Sequence, residues 1–561
     1  MRKLSNRSSQ RSQGAMGISR VMLSSFMVGI LGITLSIAGP TAAQAASKKT
    51  SSTFKVTSYS QAKAAGTAGS INWGSKCDTS LGTLAFPSVY APQCYAPLTG
   101  SNGGATSPGV TGSTVKIVLY LPPQDSAILH YIFSPIPSSD FSKNTQVNET
   151  MQQWMKFFNS YYNLYGRQVQ LVNFTGTGDI NNAVAAAADA TSIAEMHPFA
   201  VWGGPSLTPA FADTLTAHKI VCVGCGGISN SAYYQKNSPY QWTLGMLPEQ
   251  SLIEMINWMK NQVNGHKAIY AGQANFKKEN RVFGVVALSS TTTADKTNQA
   301  LVKAFNKNGI KIAQLVTYQS PIDLQTSAPS LIAKLKAAGV TSIIFAGDPI
   351  GPQTLTKAAT AAQYFPEWLL SGTSFYDVSI YARTYDQKQW SHAFGVSSGT
   401  VPTSSNQWVS LYKWYFGEAP ASPDAAILQI GTAVMFFNAL QETGPSLTPG
   451  NLKKALFAAP VTKSNPIKVS TAYGNHGIWP TADYAGTDDN TQIWWNSTVV
   501  GPDSYGHVGA GLYEFVDGGK RYLPSQWPTQ ITKAFHPKGA VTSYESTPPG
   551  VTIPTYPSPA G

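Results

Sequence analysis

The chain has 561 residues, with 39 Lys and Arg against 27 Asp and Glu, and only 12% of its positions are charged. That length is large for one core and suits two lobes with extensions. The basic excess comes with no Lys/Arg-rich run and no interleaved aromatics, which argues against a nucleic-acid partner.

Residues 1–45 read as a targeting segment. Arg2, Lys3, Arg7, Arg11 and Arg20 carry positive charge with no acid among them, and an apolar stretch over 21–38 follows. Pro40 and the small-x-small step Ala43-Gln44-Ala45 then mark a cleavage site before Ala46. The alternative is an uncleaved anchor, because the apolar run borders on the length of a membrane span, although Ser, Gly and Thr interrupt it. No cysteine follows the run, so a lipid-modified N-terminus of the bacterial lipoprotein kind is not expected. Removing the five basic residues takes the net charge from +12 to +7. The mature protein is expected outside the cytoplasm, at the cell surface, in a periplasm or in the medium.

Residues 46–112 are rich in Ser, Gly, Thr and Ala and form an N-terminal extension. Cys77 and Cys94 enclose a Pro-, Ser- and Gly-containing loop, and a disulfide between them would contribute on the order of 3 kcal/mol through loop closure. A first strand is expected at 115–120. Helix one follows, with Met151, Trp154, Met155, Phe158, Tyr161 and Tyr162 at helical spacing. Strand two at 169–174, an Ala-rich helix at 181–195 and strand three at 199–202 come next. Gly203-Gly204-Pro205-Ser206-Leu207-Thr208 then opens a helix near 209–218. Hydroxyls and backbone N–H groups at such a place either bind an anionic group or cap the helix. Strand four, 220–223, runs into Cys222-Val223-Gly224-Cys225, followed by a glycine-rich turn. A structural disulfide at a strand end is the expected state of Cys222 and Cys225. Redox catalysis would want a helix start there, and zinc would want two more ligands.

After Pro239 the rhythm restarts, with strands expected at 267–271, 281–288, 310–316, 342–347 and 368–372. Their exits are Ser289-Ser290-Thr291-Thr292, Gly347-Asp348-Pro349 and Ser371-Gly372-Thr373-Ser374, the first and last again rich in hydroxyls. Helices return at 407–416, 424–443 and 449–457, the last with Thr448 as its cap and Pro449 at its first position. The Pro/Ser/Thr-rich tail is expected to be poorly ordered. Strands alternating with helices form parallel sheets covered on both faces. The expected fold is therefore α/β, with two Rossmann-like lobes joined by a multi-strand hinge. Lobe 1 is 113–238 plus 376–460, lobe 2 is 239–375 plus 461–530, and the tail is 531–561. A cleft between lobes is the natural place for a small molecule.

Competing chemistry is thin. Gly395-Val396-Ser397-Ser398-Gly399 matches the G-x-S-x-G nucleophile pattern, but Thr400-Val401-Pro402-Thr403 is poor sequence for the helix that an elbow requires. An exported hydrolase using Ser397 stays as the alternative, as does a bilobal sensor with no transport role. Asp488-Asp489-Asn490 could hold calcium, although a turn with solvated acids is the plainer expectation. No phosphate loop and no dinucleotide motif in a strand-to-helix context are found. No catalytic residue, metal or cofactor is expected.

Three segments carry a resemblance. Asn163-Leu164-Tyr165-Gly166-Arg167-Gln168 leading into strand two, Phe199-Ala200-Val201-Trp202-Gly203-Gly204-Pro205-Ser206, and Ala337-Ala338-Gly339-Val340 before 342–347 resemble the type 1 periplasmic binding proteins. These include the leucine/isoleucine/valine-binding proteins of ABC importers. The similarity runs over about 115–522, and the clipped extension looks like that of an actinobacterial-type subgroup. It implies a monomeric solute-binding protein that closes on an amino acid or related small polar or carboxylate compound and delivers it to an ABC permease. It places ligand contacts at Ser206, Thr208, Gly226, Gly227 and Ser229 in the first lobe. In the second lobe, Thr292, Asp348, Thr373 and Ser374 stand at the corresponding exits. The tyrosine expected after the second lobe's second strand is missing from 290–293. The acid expected near 372–377 is represented only by Asp377, which puts an α-amino acid ligand in doubt.

Overall fold

A computed structural model describes residues 54–205, 207–227, 229–289, 292–372 and 375–561. The leader over 1–45 lies outside them.

The first sheet is entirely parallel. Its strands are β1 (Thr114–Leu121), β2 (Gln168–Thr175), β3 (Ala200–Trp202), β4 (Val221–Val223) and β5 (Gln241–Trp242), in the spatial order β2-β1-β3-β4-β5. Alternation along β1 explains how one strand serves two layers. Val115, Ile117, Leu119 and Leu121 join the core on one face, and Val118 and Tyr120 join the core on the other. Helix α1 (Asn144–Tyr161) buries its predicted aromatic stripe against the first of these faces. Helices α2 (Ala183–Glu195) and α3 (Ala210–Ala217) cover the second.

The second sheet has eight strands. Five are parallel: β6 (Phe283–Leu288), β7 (Ile312–Tyr318), β8 (Ser342–Ala346), β9 (Glu367–Gly372) and β10 (Ala393–Ser397). Three antiparallel strands extend it beyond β10: β11 (Asn490–Pro502), β12 (Val508–Phe515) and β13 (Arg521–Tyr522). The order is β12-β11-β10-β9-β8-β6-β7, with β13 on β11. Helices α4 (Pro248–Gln262), α5 (Thr292–Lys307), α6 (Leu324–Ala337) and α7 (Gly351–Ala361) belong to this lobe. The chain returns to the first lobe in α8 (Gln407–Phe416), α9 (Ile430–Thr443) and α10 (Pro449–Ala458), which pack on α1 and the first sheet. There the Phe158 and Phe437 rings stack with centroids 4.7 Å apart.

Several expectations change. Residues 267–271 form no strand; Ala268 and Ala271 are buried in a loop that packs on the second core. β5 lies in the first sheet, so the first lobe extends past 238 to Trp242. β10 lies in the second sheet, so 376–397 belongs to lobe 2 and the return begins only at α8. These strands have two and five residues, too short to reveal which sheet they join. The tail is not loose. Val541 bridges to Phe515 of β12, and the Trp414 indole N–H donates to Tyr556 O at 2.9 Å on the other lobe. The extension is also seated: the buried Arg167 guanidinium donates to the carbonyls of Thr111, Pro445, Asn102 and Gly104 at 2.8–3.0 Å.

Besides the tail, three stretches of chain pass between the lobes among the described residues. Thr243 N–H donates to Tyr484 O at 3.0 Å, which ties the first stretch to the third. Arg521 ties the second to the third: its Nε meets Asp489 Oδ1 at 2.9 Å, and its other nitrogens donate to Gly399 O and Ser398 O. Both charges are buried.

Candidate functional site

Both sheets share one parallel order, second-first-third-fourth-fifth, and in such sheets ligands bind outside the carboxyl ends where the strand order reverses. In the first sheet the reversal lies between β1 and β3, and in the second between β6 and β8. Thr208 follows β3 and Asp348 follows β8, the strands on one side of each reversal. Gly226, Gly227 and Ser229 follow β4, Thr292 follows β6, and Thr373 and Ser374 follow β9.

Ser206, Thr373 and Ser374 lie outside the described residues. Thr292 is described only by its backbone, as the first residue of α5. Thr208 is buried, and its Oγ1 accepts from Ala210 N–H at 3.3 Å at the start of α3. Ser229 Oγ donates to Gly226 O at 2.5 Å and closes the β4 exit on itself. Gly226 is required by space, since a Cβ there would stand 2.7 Å from the Tyr234 hydroxyl; Gly227 is suited to its φ of +57°. Asp348 accepts the Tyr318 hydroxyl at 2.5 Å and the N–H groups of Ile350 and Gly351 at 2.8 Å, so it also caps α7. With 267–271 no longer a strand, β7 becomes the second strand of its lobe, and Tyr318 is its last residue.

Cys77 and Cys94 stand 5.9 Å apart at Cα, as do Cys222 and Cys225, and each pair is joined. Cys225 Sγ lies 3.0 Å from Gly203 O, so the second pair braces the β4 exit against the β3 exit.

Apolar contact surface was not foreseen at these exits. Leu207 after β3 is 46% exposed, and Phe375 after β9 is 52% exposed with a left-handed φ of +60°. Only the fold, by placing them at strand exits, distinguishes them from other surface residues. Residues 122–126, 176–182, 203–209, 224–230, 289–291, 319–323, 347–350, 373–378 and 398–406, next to the strand ends, contain no Lys, Arg or His; His130 and Lys143 lie further along the first exit.

The first exit reaches furthest. Residues 122–143 form an arm with a short helix, Ala127–Ile132, whose ends are closed by Asn144 Nδ2 donating to Pro122 O at 3.1 Å. Its Ile136 is buried in the core of the second lobe, with Tyr131 and Phe133 against that core. His507 Nε2, in the β11–β12 hairpin, lies 2.8 Å from Asp140 Oδ2 of the arm. The arm therefore brings the exit edge of the first sheet against the second lobe.

Among the described residues, the hydrogen-bond partners of Ser397 do not include the histidine that the rival chemistry requires. Ser397 Oγ donates to Asp377 at 2.5 Å and accepts from Gly399 N–H at 3.0 Å, with no histidine among these partners, and α8 begins ten residues later. Burial pushes the Asp377 carboxyl up. The acids at 488–489 are buried rather than solvated. The Trp479 indole N–H donates to Asp488 at 2.7 Å, Gln250 donates to Asp483 at 2.8 Å, and burial raises both carboxyls. Among the described residues no group of three His, Cys, Asp or Glu is disposed to hold a metal ion.

Residues 138–479, more than half of the chain, match the family model described as periplasmic binding protein, and the protein belongs to that family. Its fold is that of the type 1, leucine/isoleucine/valine-binding-like branch. One similar solved structure is a fatty acid ABC transporter substrate-binding protein from Thermomonospora curvata. Identity is 15%, the TM-score is 0.50, and the match covers 77% of this chain and 99% of that one. Another is a leucine-, isoleucine-, valine-, threonine- and alanine-binding protein from Brucella ovis in a closed conformation. Here identity is 14% and the TM-score 0.51, over 75% of this chain and 99% of that one. At these identities the likeness is one of fold. No curated protein matches the sequence. Among the described residues no helix is long and apolar enough to cross a membrane.

Proposed function

We propose that the protein captures a small organic solute outside the cytoplasm, between its lobes, and delivers it unchanged to an ABC-type permease. The observation that carries this reading is the pair of parallel sheets with one strand order, whose reversal points each open onto exits rich in glycine and hydroxyls. Family membership supports capture of a solute, and the transporter named with the Thermomonospora protein supports delivery. The leader over 1–45 would export the chain, which then acts as a monomer with both cysteine pairs oxidised.

In this reading Ser206, Thr208, Gly226, Gly227 and Ser229 supply polar contacts from the first lobe. Thr292, Asp348, Thr373 and Ser374 supply them from the second, and Leu207 and Phe375 add apolar surface. With no basic side chain in the residues next to the strand ends, a carboxylate on the solute would be met there by backbone N–H groups and hydroxyls. A thermal-shift panel of amino acids, amides, aromatic acids, short-chain carboxylates and fatty acids tests the reading. A solute at a hundredfold excess over its Kd raises apparent stability by about 3 kcal/mol. For the compound found, Ser229→Ala is expected to weaken calorimetric affinity about tenfold while the Tm of the free protein stays put. A panel in which nothing raises the Tm defeats the reading.

A further inference from the structure

We propose that the arm, residues 122–143, is an inter-lobe latch: its seat in the second lobe holds the lobes together, and exchange of solute requires the arm to leave that seat. The arm starts and ends in the first lobe, between β1 and α1. Ser126 Oγ donates to Asp179 after β2, and Ser142 Oγ donates to Asp424 ahead of α9 at 3.3 Å, so both ends are anchored there. Its middle belongs to the other lobe. Ile136 is one of the buried members of the second core, and the Phe133 ring, packed on that core, meets Phe141 with centroids 5.9 Å apart. Moving the lobes apart as rigid bodies would pull Ile136 into water, which burial of an aliphatic side chain opposes.

A polar catch lies beside this apolar seat. His507 faces Asp140 at 2.8 Å, and Asp503 stands 3.5 Å from its other ring nitrogen. Asp503 is itself paired with Arg383 at 3.1 Å, and Arg383 also donates to the carbonyls of Gly501, His507, Gly509 and Gly511. The hairpin tip is therefore held stiffly by its own lobe and presents His507 to the arm in a defined position.

The test needs no solute, so it fails or succeeds apart from the capture reading. Val184 and Ile322 are 82% and 67% exposed and lie on the exit sides of β2 and β7, the matching strands of the two lobes. A Val184→Cys/Ile322→Cys protein, labelled without reductant with a fluorescent donor and acceptor, reports lobe separation in single molecules. The parent is expected to show one dominant high-transfer population. Ile136→Ser is expected to raise the low-transfer fraction at least tenfold, and Asp140→Asn and His507→Ala about threefold each. The last two are partly exposed positions that leave the cores intact, so they decide the matter if Ile136→Ser does not fold. Distributions unchanged in the variants that fold, or a parent already dominated by low transfer, would overturn the latch.

Discussion

The two lobes start from the same plan and elaborate it at opposite places. In each, five parallel strands follow the order second-first-third-fourth-fifth. The first sheet stops there, and its third, fourth and fifth strands have only three, three and two residues. Its addition is the arm, inserted after the first strand. The second sheet grows at its far edge by the long hairpin β11–β12 and by β13. These additions are not independent decoration, because the arm of one lobe meets the hairpin of the other at Asp140 and His507. A shared fold thus fixes where solute contacts can stand, and the unshared insertions set how the lobes are held.

The largest expected effect comes from cutting the tie between the lobes at the crossings. Arg521→Ala leaves Asp489 buried without its cation, and breaking such a pair costs about 3–5 kcal/mol. Denaturant unfolding should show this loss together with a split into two transitions, since the pin joins two of the stretches that cross between the lobes. A single transition with unchanged midpoint would show that the crossings do not couple the lobes.

A second effect is confined to the first lobe. Glu442 in α9 is pushed up to about 8 by burial, beside Tyr95 of the extension. A buried carboxyl of this kind holds its proton more tightly when folded. Its share of stability is therefore full below about pH 4, the ordinary range of a glutamate, and is lost as pH rises toward 8. Stability should fall by a few kcal/mol between pH 5 and pH 8, and Glu442→Gln should flatten that fall. Burial raises Asp483 and Asp488 in the same direction, so some slope should persist. Chemical denaturation across this pH range checks both statements.

The smallest effects separate the exits of the two lobes by sign. Thr208→Ala removes the hydrogen bond from Ala210 N–H at the start of α3 and should lower stability by about 1 kcal/mol. Phe375→Gly relieves a left-handed backbone and should raise stability by about 1 kcal/mol while weakening solute binding. Calorimetric Tm values with and without bound solute distinguish the two. A fall in both free proteins would assign Phe375 a structural role.

Two lobes, their helices and the regions of their exits were legible in the chain because they rest on short-range information. The stripe from Met151 to Tyr161 repeats within one helix, and Thr448-Pro449 caps α10 through its own neighbours. The glycine and hydroxyl runs after β3, β4 and β9 likewise mark exits locally. What those residues touch was not legible. Asp348 meets Tyr318 thirty residues away, and Ser397 meets Asp377 in the turn after the neighbouring strand. Only the tertiary structure decided that β5 joins the first sheet and β10 the second, that Ile136 sits in the lobe opposite its own strand, and that the tail returns to Trp414. Strands of two to five residues carry too little periodicity to choose a partner. A lone apolar residue in a loop gives no sign of which core it will enter, because that choice is made by contacts hundreds of residues apart.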